Sequence, residues 1–372
     1  MPDREEDRRW MAVALALGRR AAGRAWPNPA VGCVLVRHGR VVGRGWTADG
    51  GRPHAEAVAL ARAGEGARGA TAYVTLEPCA HRGRAGPCAD ALIAAGVSRV
   101  VAALRDPDPR TAGEGFRRLR QAGLSVTVGP HEDEARADLG GFLLRHAEGR
   151  PWVTLKLAAS LDGRIATASG ESRWITGEAA RRAVQALRAS HDAVLVGGGT
   201  ARADDPLLTL RGMGARPGPV RVVASRGLSL HPESRLARGE GGTPLWLLHA
   251  EGAERPAWSE RPHIRCLPVP SDPSGLDPAG AMARLAAEGI MRVLCEGGGA
   301  WAAALLRAGL VDELVQFHAG LTLGADGLAA VGPLALGRLA DAPRFVLRAL
   351  RPVGGDILSL WRPEGAAAGP PV

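Results

Sequence analysis

Lysine is almost missing from this chain of 372 residues: of its 47 basic residues, only Lys156 is not arginine. Arginine differs from lysine in shape, hydration and proton-transfer ability. The one lysine that survives such a composition bias is therefore a candidate site residue. Aromatic residues make up 4% of the chain, with a single tyrosine, which leaves few platforms for stacking nucleic-acid bases. No apolar run reaches membrane-spanning length, the nearest being Met11 to Gly18. The acidic residues ahead of it (Asp3, Glu5, Glu6, Asp7) are wrong for a secretory signal. A cytoplasmic protein without a membrane partner is expected. Five cysteines, an odd number, argue against a disulfide framework and for a reducing compartment. Cys33, Cys266 and Cys295 stand in apolar runs, as ordinary buried thiols do.

What is present suits a globular enzyme. Hydrophobic residues reach 46%, enough for sizeable cores, and the length predicts two domains. The net charge of +9 comes from arginines spread along the whole chain. A basic pocket for a small phosphorylated ligand accounts for that charge as well as a nucleic acid would, and no nucleic-acid partner is expected.

The chemistry concentrates between Pro53 and Cys88. PHAEAVAL puts His54 and Glu56 at the head of an Ala-rich helical pattern; TAYVTLEPC ends a strand-like run at Cys79; Cys88 opens a second helical pattern. One imidazole and two thiolates form a three-ligand zinc set that leaves the fourth tetrahedral position for water. A carboxylate beside that water, not itself a ligand, is the acid/base of a hydrolytic deamination. H-x-E followed by P-C-x-x-C is the zinc-deaminase signature. Here eight residues, not two, separate the cysteines, and Gly83, Gly86 and Pro87 suit a loop that folds back to the metal. A closed structural zinc site would need a fourth protein ligand, and only three converge.

Along the chain, helical and strand patterns alternate: helix 10–22, strands 30–36 and 40–45, a helix from His54, strand 71–76, helix 88–95, strand 97–104, helix 114–122 and strand 124–128. Asp106-Pro107-Asp108-Pro109 is a turn at a strand end, where α/β sites usually sit. The pattern restarts near Gly149-Arg150-Pro151. Strand 152–158, helix 178–189, strands 193–196, 220–224, 245–248 and 291–295, helix 300–308 and strand 311–317 then follow. Such alternation predicts an α/β protein with helices on the faces of mixed or parallel sheets. The predicted units run over 1–148, which carries the zinc-deaminase signature, and over 152–362, with a disordered Ala/Gly/Pro tail over 363–372. Glycine clusters at 197–199 and 297–299 each follow a strand, and Gly297, Gly299 and Ala302 fit G-x-G-x-x-A. Alone that fit is a weak signal; doubled, it favours a phosphate-bearing ligand.

The order of PNPAVGCVLV, PHAEAVAL, YVTLEPCAHRGRAGPC, DPDP, LKLAASLDGRIATASGESRWITG, ADDPLLTLR and GLVDEL resembles the bifunctional deaminase/reductase family of bacterial riboflavin biosynthesis. The resemblance covers about residues 10 to 362, and the wide cysteine spacing is typical of that family. It implies a cytidine-deaminase-like three-layer domain followed by a dihydrofolate-reductase-like domain, with Zn2+ and NADPH as cofactors. The first domain would deaminate the pyrimidine of a phosphoribosylated diaminopyrimidine; the second would reduce ribosyl to ribityl. His54, Cys79 and Cys88 would hold zinc, and Glu56 would carry the proton to the ring nitrogen and leaving amine. Asn28, His81 and Arg84 match the deaminase pocket, the two cations serving the phosphate. Ser172, Arg188, Leu208, Arg211 and Glu296 match reductase substrate contacts. Ala158, Trp174, Thr200, Asp204, Ser225, Gly297, Gly298, Gly299, Ala300, Trp301 and Ala302 match cofactor contacts. Lys156, in the LKLAASLDG motif, would approach the ribose or its phosphate.

Trp26 before PNP and GRAGPC before Cys88 depart from the family's commoner residues and bear on pocket shape, not on the metal set. Two other readings use the same motif: a nucleic-acid base deaminase, which leaves the second half unexplained, and a non-enzymatic zinc scaffold, against which the intact His54/Glu56 pair argues. A homo-oligomer is compatible with all of them.

Overall fold

The computed structural model describes residues 4–82 and 86–365. The chain divides between Gly149 and Arg150 into two compact units.

The first unit opens with helix α1 (Arg4–Arg19), then strands β1 (Gly32–Arg37) and β2 (Arg40–Trp46), helix α2 (Ala55–Ala63), strand β3 (Thr71–Val74) and helix α3 (Cys88–Ala94). Strand β4 (Arg99–Ala102), helix α4 (Glu114–Gln121), strand β5 (Ser125–Val128) and helices α5 (Glu132–Asp138) and α6 (Gly140–Glu148) complete it. The sheet runs β2-β1-β3-β4-β5, antiparallel on either side of β1 and parallel from β3 to β5. The β1 hairpin and the alternation after it match the expected pattern. Helices α5 and α6 were not anticipated, because the first is almost wholly charged and the second opens on Gly140-Gly141.

Small residues decide where α2 lies. A Cβ on Gly43 or Gly45 of β2 would come within 2.3 Å of the Ala59 oxygen or 2.4 Å of the Ala55 oxygen. Helix backbone therefore packs directly on strand backbone there, and the N-terminus of α2 is held at a fixed height above the sheet. That terminus carries His54 and Glu56.

The second unit comprises β6 (Trp152–Ser160), β7 (Arg164–Ala166), α7 (Glu178–Ala189), β8 (Ala193–Gly197), α8 (Gly198–Asp204), β9 (Val220–Ala224), β10 (Leu245–Ala250) and β11 (Ile264–Val269). It continues through β12 (Ser271–Asp272), β13 (Gly275–Leu276), α9 (Pro278–Ala287), β14 (Arg292–Cys295), α10 (Gly299–Arg307), β15 (Glu313–Ala319), β16 (Leu328–Ala329), β17 (Phe345–Val353) and β18 (Asp356–Pro363). Nine strands form one sheet in the order β11-β10-β9-β8-β14-β6-β15-β18-β17. From β11 to β15 all pairs are parallel, and β18 and β17 close the edge antiparallel. Runs such as AVLVG in β8 are buried at every position, as strands covered on both faces must be. Apolar side chains of β8, β9 and β10 form one core; α7 packs with β15 and β18 in another.

Three corrections to the sequence reading follow. Strands β11, β17 and β18 were missed, because each interrupts its apolar pattern with proline, arginine or serine. The expected disordered tail from 363 begins too early, since Pro363 is the last residue of β18; residues 366–372 lie outside the described residues. Cys33 and Cys295 are buried thiols, but Cys266 is only partly buried.

Candidate active sites

The first unit gathers its ligand set from three chain segments. His54 is the N-cap residue of α2, extended at φ −68°, and its ring makes no capping bond to the helix's own amides. Cys79 sits on the loop after β3, and Cys88 is the first residue of α3. His54 Nδ1 lies 3.7 Å from Cys79 Sγ and 3.4 Å from Cys88 Sγ, and all three ligand atoms fall within 4.8 Å of one another. Zinc bonded at ordinary lengths in a tetrahedron would set such nitrogen–sulfur edges at about 3.6 Å. The donor set fits that ion. Among the described residues no other cluster of three or more His, Cys, Asp or Glu has comparable geometry.

Electrostatics agree with the geometry. Hydrogen bonding from Cys88, then from His54, holds the Cys79 thiol down at about 4, and the Cys88 backbone N–H also donates to Cys79 Sγ at 3.3 Å. Cys88 is pushed up by its hydrogen bond to Cys79 and by burial. Metal ligation requires both sulfurs as thiolates. Glu56 is 4% exposed, and burial together with the Cys79 charge raises its carboxyl to about 7. It is placed beside the ligands without being one of them.

Asn28, His54, Glu56, Cys79 and His81 line one cavity of about 160 Å3. Asn28 donates through Nδ2 to the Gly51 oxygen at 2.8 Å, and the His81 ring lies 3.3 Å from Thr111 Oγ1. Arg84 lies outside the described residues. The cavity also takes residues outside the expected set of site contacts: Asp106, Asp108 and Arg110 after β4, and Phe142, Arg145 and His146 from α6. The Asp-Pro-Asp-Pro turn at a strand end carried a signal for the first three. The α6 residues carried none, because that helix was not expected.

The second unit holds a larger cleft of about 490 Å3 at the C-terminal ends of its parallel strands. Lys156 and Ala158 come from β6, Ser172 and Trp174 from the loop before α7, and Arg188 from α7. Thr200 and Asp204 belong to α8, Leu208 and Arg211 to the loop after it, Glu296, Gly297 and Gly298 to the turn between β14 and α10, and Ala302 to α10. Four expected contacts stand apart from the lining. A Cβ on Gly197 would meet the Trp301 ring at 2.7 Å, and one on Gly198 would meet Ser225 at 3.0 Å. Gly299 packs against the Ala329 backbone, and Ala300 is exposed.

Charge is ordered at the floor of this cleft. Arg188 donates through Nε and Nη2 to the two Glu296 oxygens, the latter at 3.1 Å, and through Nη1 to the Thr209 oxygen at 3.0 Å. Arg188 is thus held in the cleft by buried partners, not presented on a solvated helix face. Lys156 Nζ lies 3.9 Å from Glu296 Oε2, and burial lowers the ammonium from its ordinary value. Trp174 is 65% exposed at the rim, with the Arg181 guanidinium 4.5 Å from its ring centroid.

Comparison with known proteins adds the identity. Residues 4–104 match the cytidine and deoxycytidylate deaminase zinc-binding region, and residues 151–358 match the RibD C-terminal domain. The riboflavin biosynthesis protein RibD of Escherichia coli is 45% identical over 365 residues, covering 95% of this chain and 98% of that protein. The Aquifex aeolicus RibD is 36% identical, covering 96% and 99%. Among solved structures, Acinetobacter baumannii RibD superposes with a TM-score of 0.88 at 37% identity, over 97% of this chain and 99% of that one. A Thermotoga maritima diaminohydroxyphosphoribosylaminopyrimidine deaminase/5-amino-6-(5-phosphoribosylamino)uracil reductase gives 0.84 at 33% identity, with the same coverage. The chain belongs to the RibD family, the bifunctional zinc-binding deaminases and reductases of riboflavin biosynthesis.

Proposed function

We propose that the first unit hydrolytically deaminates 2,5-diamino-6-(5-phosphoribosylamino)pyrimidin-4(3H)-one and that the second reduces the ribosyl group of the product to ribityl with NADPH. The observation that carries this reading is the convergence of His54, Cys79 and Cys88 on one sphere with Glu56 buried beside them.

Zinc, when bound by these three residues, polarises water into a nucleophile near neutral pH. Glu56 would take one proton from the attacking water and pass it to the ring nitrogen, then take the hydroxyl proton left on the ring carbon and pass it to the departing amine. Its burial keeps bulk water from competing for the proton. Asn28, with its amide anchored on Gly51, presents its other polar atom to the base, and His81 and Arg84 serve the phosphate.

In the second unit NADPH, when bound, supplies the hydride. The cleft is about three times the volume of the first, as two ligands require. Glu296 holds the Arg188 fork and the Lys156 ammonium as one array. Lys156 would donate a proton to the sugar ring oxygen as the ribosylamine opens to an imine, whose carbon is the acceptor of the hydride. Arg211, exposed at the mouth, is offered to the phosphate. The glycine turn at 297–298 lets backbone approach the cofactor. No helix among the described residues is long and apolar enough to cross a membrane; action in the cytoplasm on a small phosphorylated pyrimidine is part of the same proposal.

The test follows ammonia and NADPH in one cuvette. Zinc-loaded protein is expected to release ammonia from the diaminopyrimidine ribotide first and to consume NADPH second. Ammonia without NADPH loss would give the second unit another role, and neither signal would end the reading.

A further inference from the structure

Glu77 is a buried carboxylate that the deaminase chemistry leaves without a task. It is 2% exposed, lines the first cavity and stands two positions before the ligand Cys79. Its partners are all backbone donors from a distant segment. Oε2 accepts from Asp106 N at 3.2 Å and Gly113 N at 2.9 Å, and Oε1 accepts from Phe116 N at 3.1 Å. Its own N–H donates to the Leu104 oxygen at 2.9 Å. Helix α4 has no side-chain cap of its own, since its N-cap is Gly113 in a left-handed conformation at φ 93°. Glu77 caps it from outside, placing negative charge where the helix dipole favours it.

The two segments so joined both line the pocket. One bears Cys79; the other bears Asp106, Asp108 and Arg110. The fit between them is close, because a Cβ on Gly115 would fall 2.1 Å from the Pro78 oxygen and 3.1 Å from Glu77 Oε1. Asp106 N–H goes to Glu77, and Asp106 Oδ1 in turn accepts from Asp108 N at 2.8 Å, so the turn is fixed link by link from Glu77 outward. We propose that Glu77 is a positioning residue of the deaminase site, setting the distance between the metal loop and the 106–110 wall that faces the substrate. This rests on the assignment of the first cavity to deamination.

A glutamine of the same shape keeps one acceptor oxygen but turns an NH2 group toward a backbone N–H, so at least one of the three bonds becomes a donor–donor clash. Charge-assisted bonds of this kind are worth about tenfold or more in an equilibrium constant. Glu77→Gln and Glu77→Ala in the full chain are compared with wild type for ammonia release, bound zinc and NADPH oxidation on the deaminated ribotide. The expected result is full zinc content, unchanged NADPH oxidation, a KM for deamination raised about tenfold in Glu77→Gln and further in Glu77→Ala, and a smaller loss of kcat. A KM equal to wild type in Glu77→Gln, with ammonia release falling only in step with the folded or zinc-loaded fraction, would overturn the proposal and leave Glu77 a fold staple. Absence of ammonia release from wild type would remove the deaminase reading itself, a different outcome from variants that match an active wild type.

Discussion

The two sites of this chain are built on opposite plans. In the first unit three ligands and one acid lie within 35 positions of one another, from His54 to Cys88, and act through side-chain atoms held at bonding distance. In the second unit the cleft draws on chain from Leu155 to Ala330, and its lining mixes large, charged and small residues from many elements. A metal site concentrates function in a few irreplaceable atoms. A cofactor cleft spreads it over shape. Damage to one side chain should therefore be close to all-or-none in the first unit and graded in the second.

The largest expected effect tests that asymmetry directly. Replacing Cys88 with serine removes a ligand and, with it, nearly all ammonia release, while NADPH oxidation on the deaminated ribotide continues. Zinc analysis and the two rates on one preparation check this. Glu56→Gln should keep zinc and lose about a thousandfold in kcat for deamination, the scale of a lost general acid/base. A Cys88→Ser protein that kept both zinc and ammonia release would break the comparison at its base.

Next in size is the charge array of the reductase cleft. Glu296→Gln leaves the Arg188 guanidinium and the Lys156 ammonium facing each other without an anion, in a place where both are largely buried. Removing one member of such an array costs about 3–5 kcal/mol. The expected outcome is a hundredfold or greater fall in reductase kcat/KM with deamination untouched. Lys156→Arg should cost less, about tenfold in kcat, because charge remains while the compact donor does not. Unchanged reductase turnover in Lys156→Arg would return the single lysine to chance.

How much of this was legible in advance follows the same division. His54, Glu56, Cys79 and Cys88 could be read from residue type and spacing, since ligand chemistry demands specific atoms. The glycine turn at 297–298 could be read as a close approach of backbone to something, though not to what. Arg188 could be placed only through the family resemblance, because a helix position alone does not distinguish solvent from a buried partner 108 residues away. Phe142 and His146 were illegible for a simpler reason: α6 begins with two glycines, which have poor helix propensity, and only packing in the first unit makes it a helix. Strands β17 and β18 were hidden by Pro352, Arg362 and a bulge between Leu347 and Ala349, which break the period-two pattern.

The smallest expected effect concerns stability and separates the units by pH. His191 is fully enclosed in the second unit, its ring held between the Leu187 oxygen at 2.7 Å and Thr154 Oγ1 at 2.9 Å. Burial, reinforced by the nearby Arg292 charge, depresses its pKa to about 3. The unfolded chain protonates the same ring near 6.5. Between those values the unfolded state binds one proton more than the folded state, so this residue's contribution to stability is intact above pH 6.5 and falls as the pH drops toward 3. The slope is about 1.4 kcal/mol per pH unit within that window. His191→Gln, which still offers a donor and an acceptor, should unfold in denaturant with a shallower acid dependence than wild type between pH 6.5 and 5, even if its stability at neutral pH is lower. The first unit supplies the internal reference: its zinc site loses metal over the same range because acid reprotonates the ligands, so metal release followed alongside separates the two sources of acid lability. Parallel pH slopes in wild type and His191→Gln would mean that the buried imidazole does not set the acid limit of the second unit.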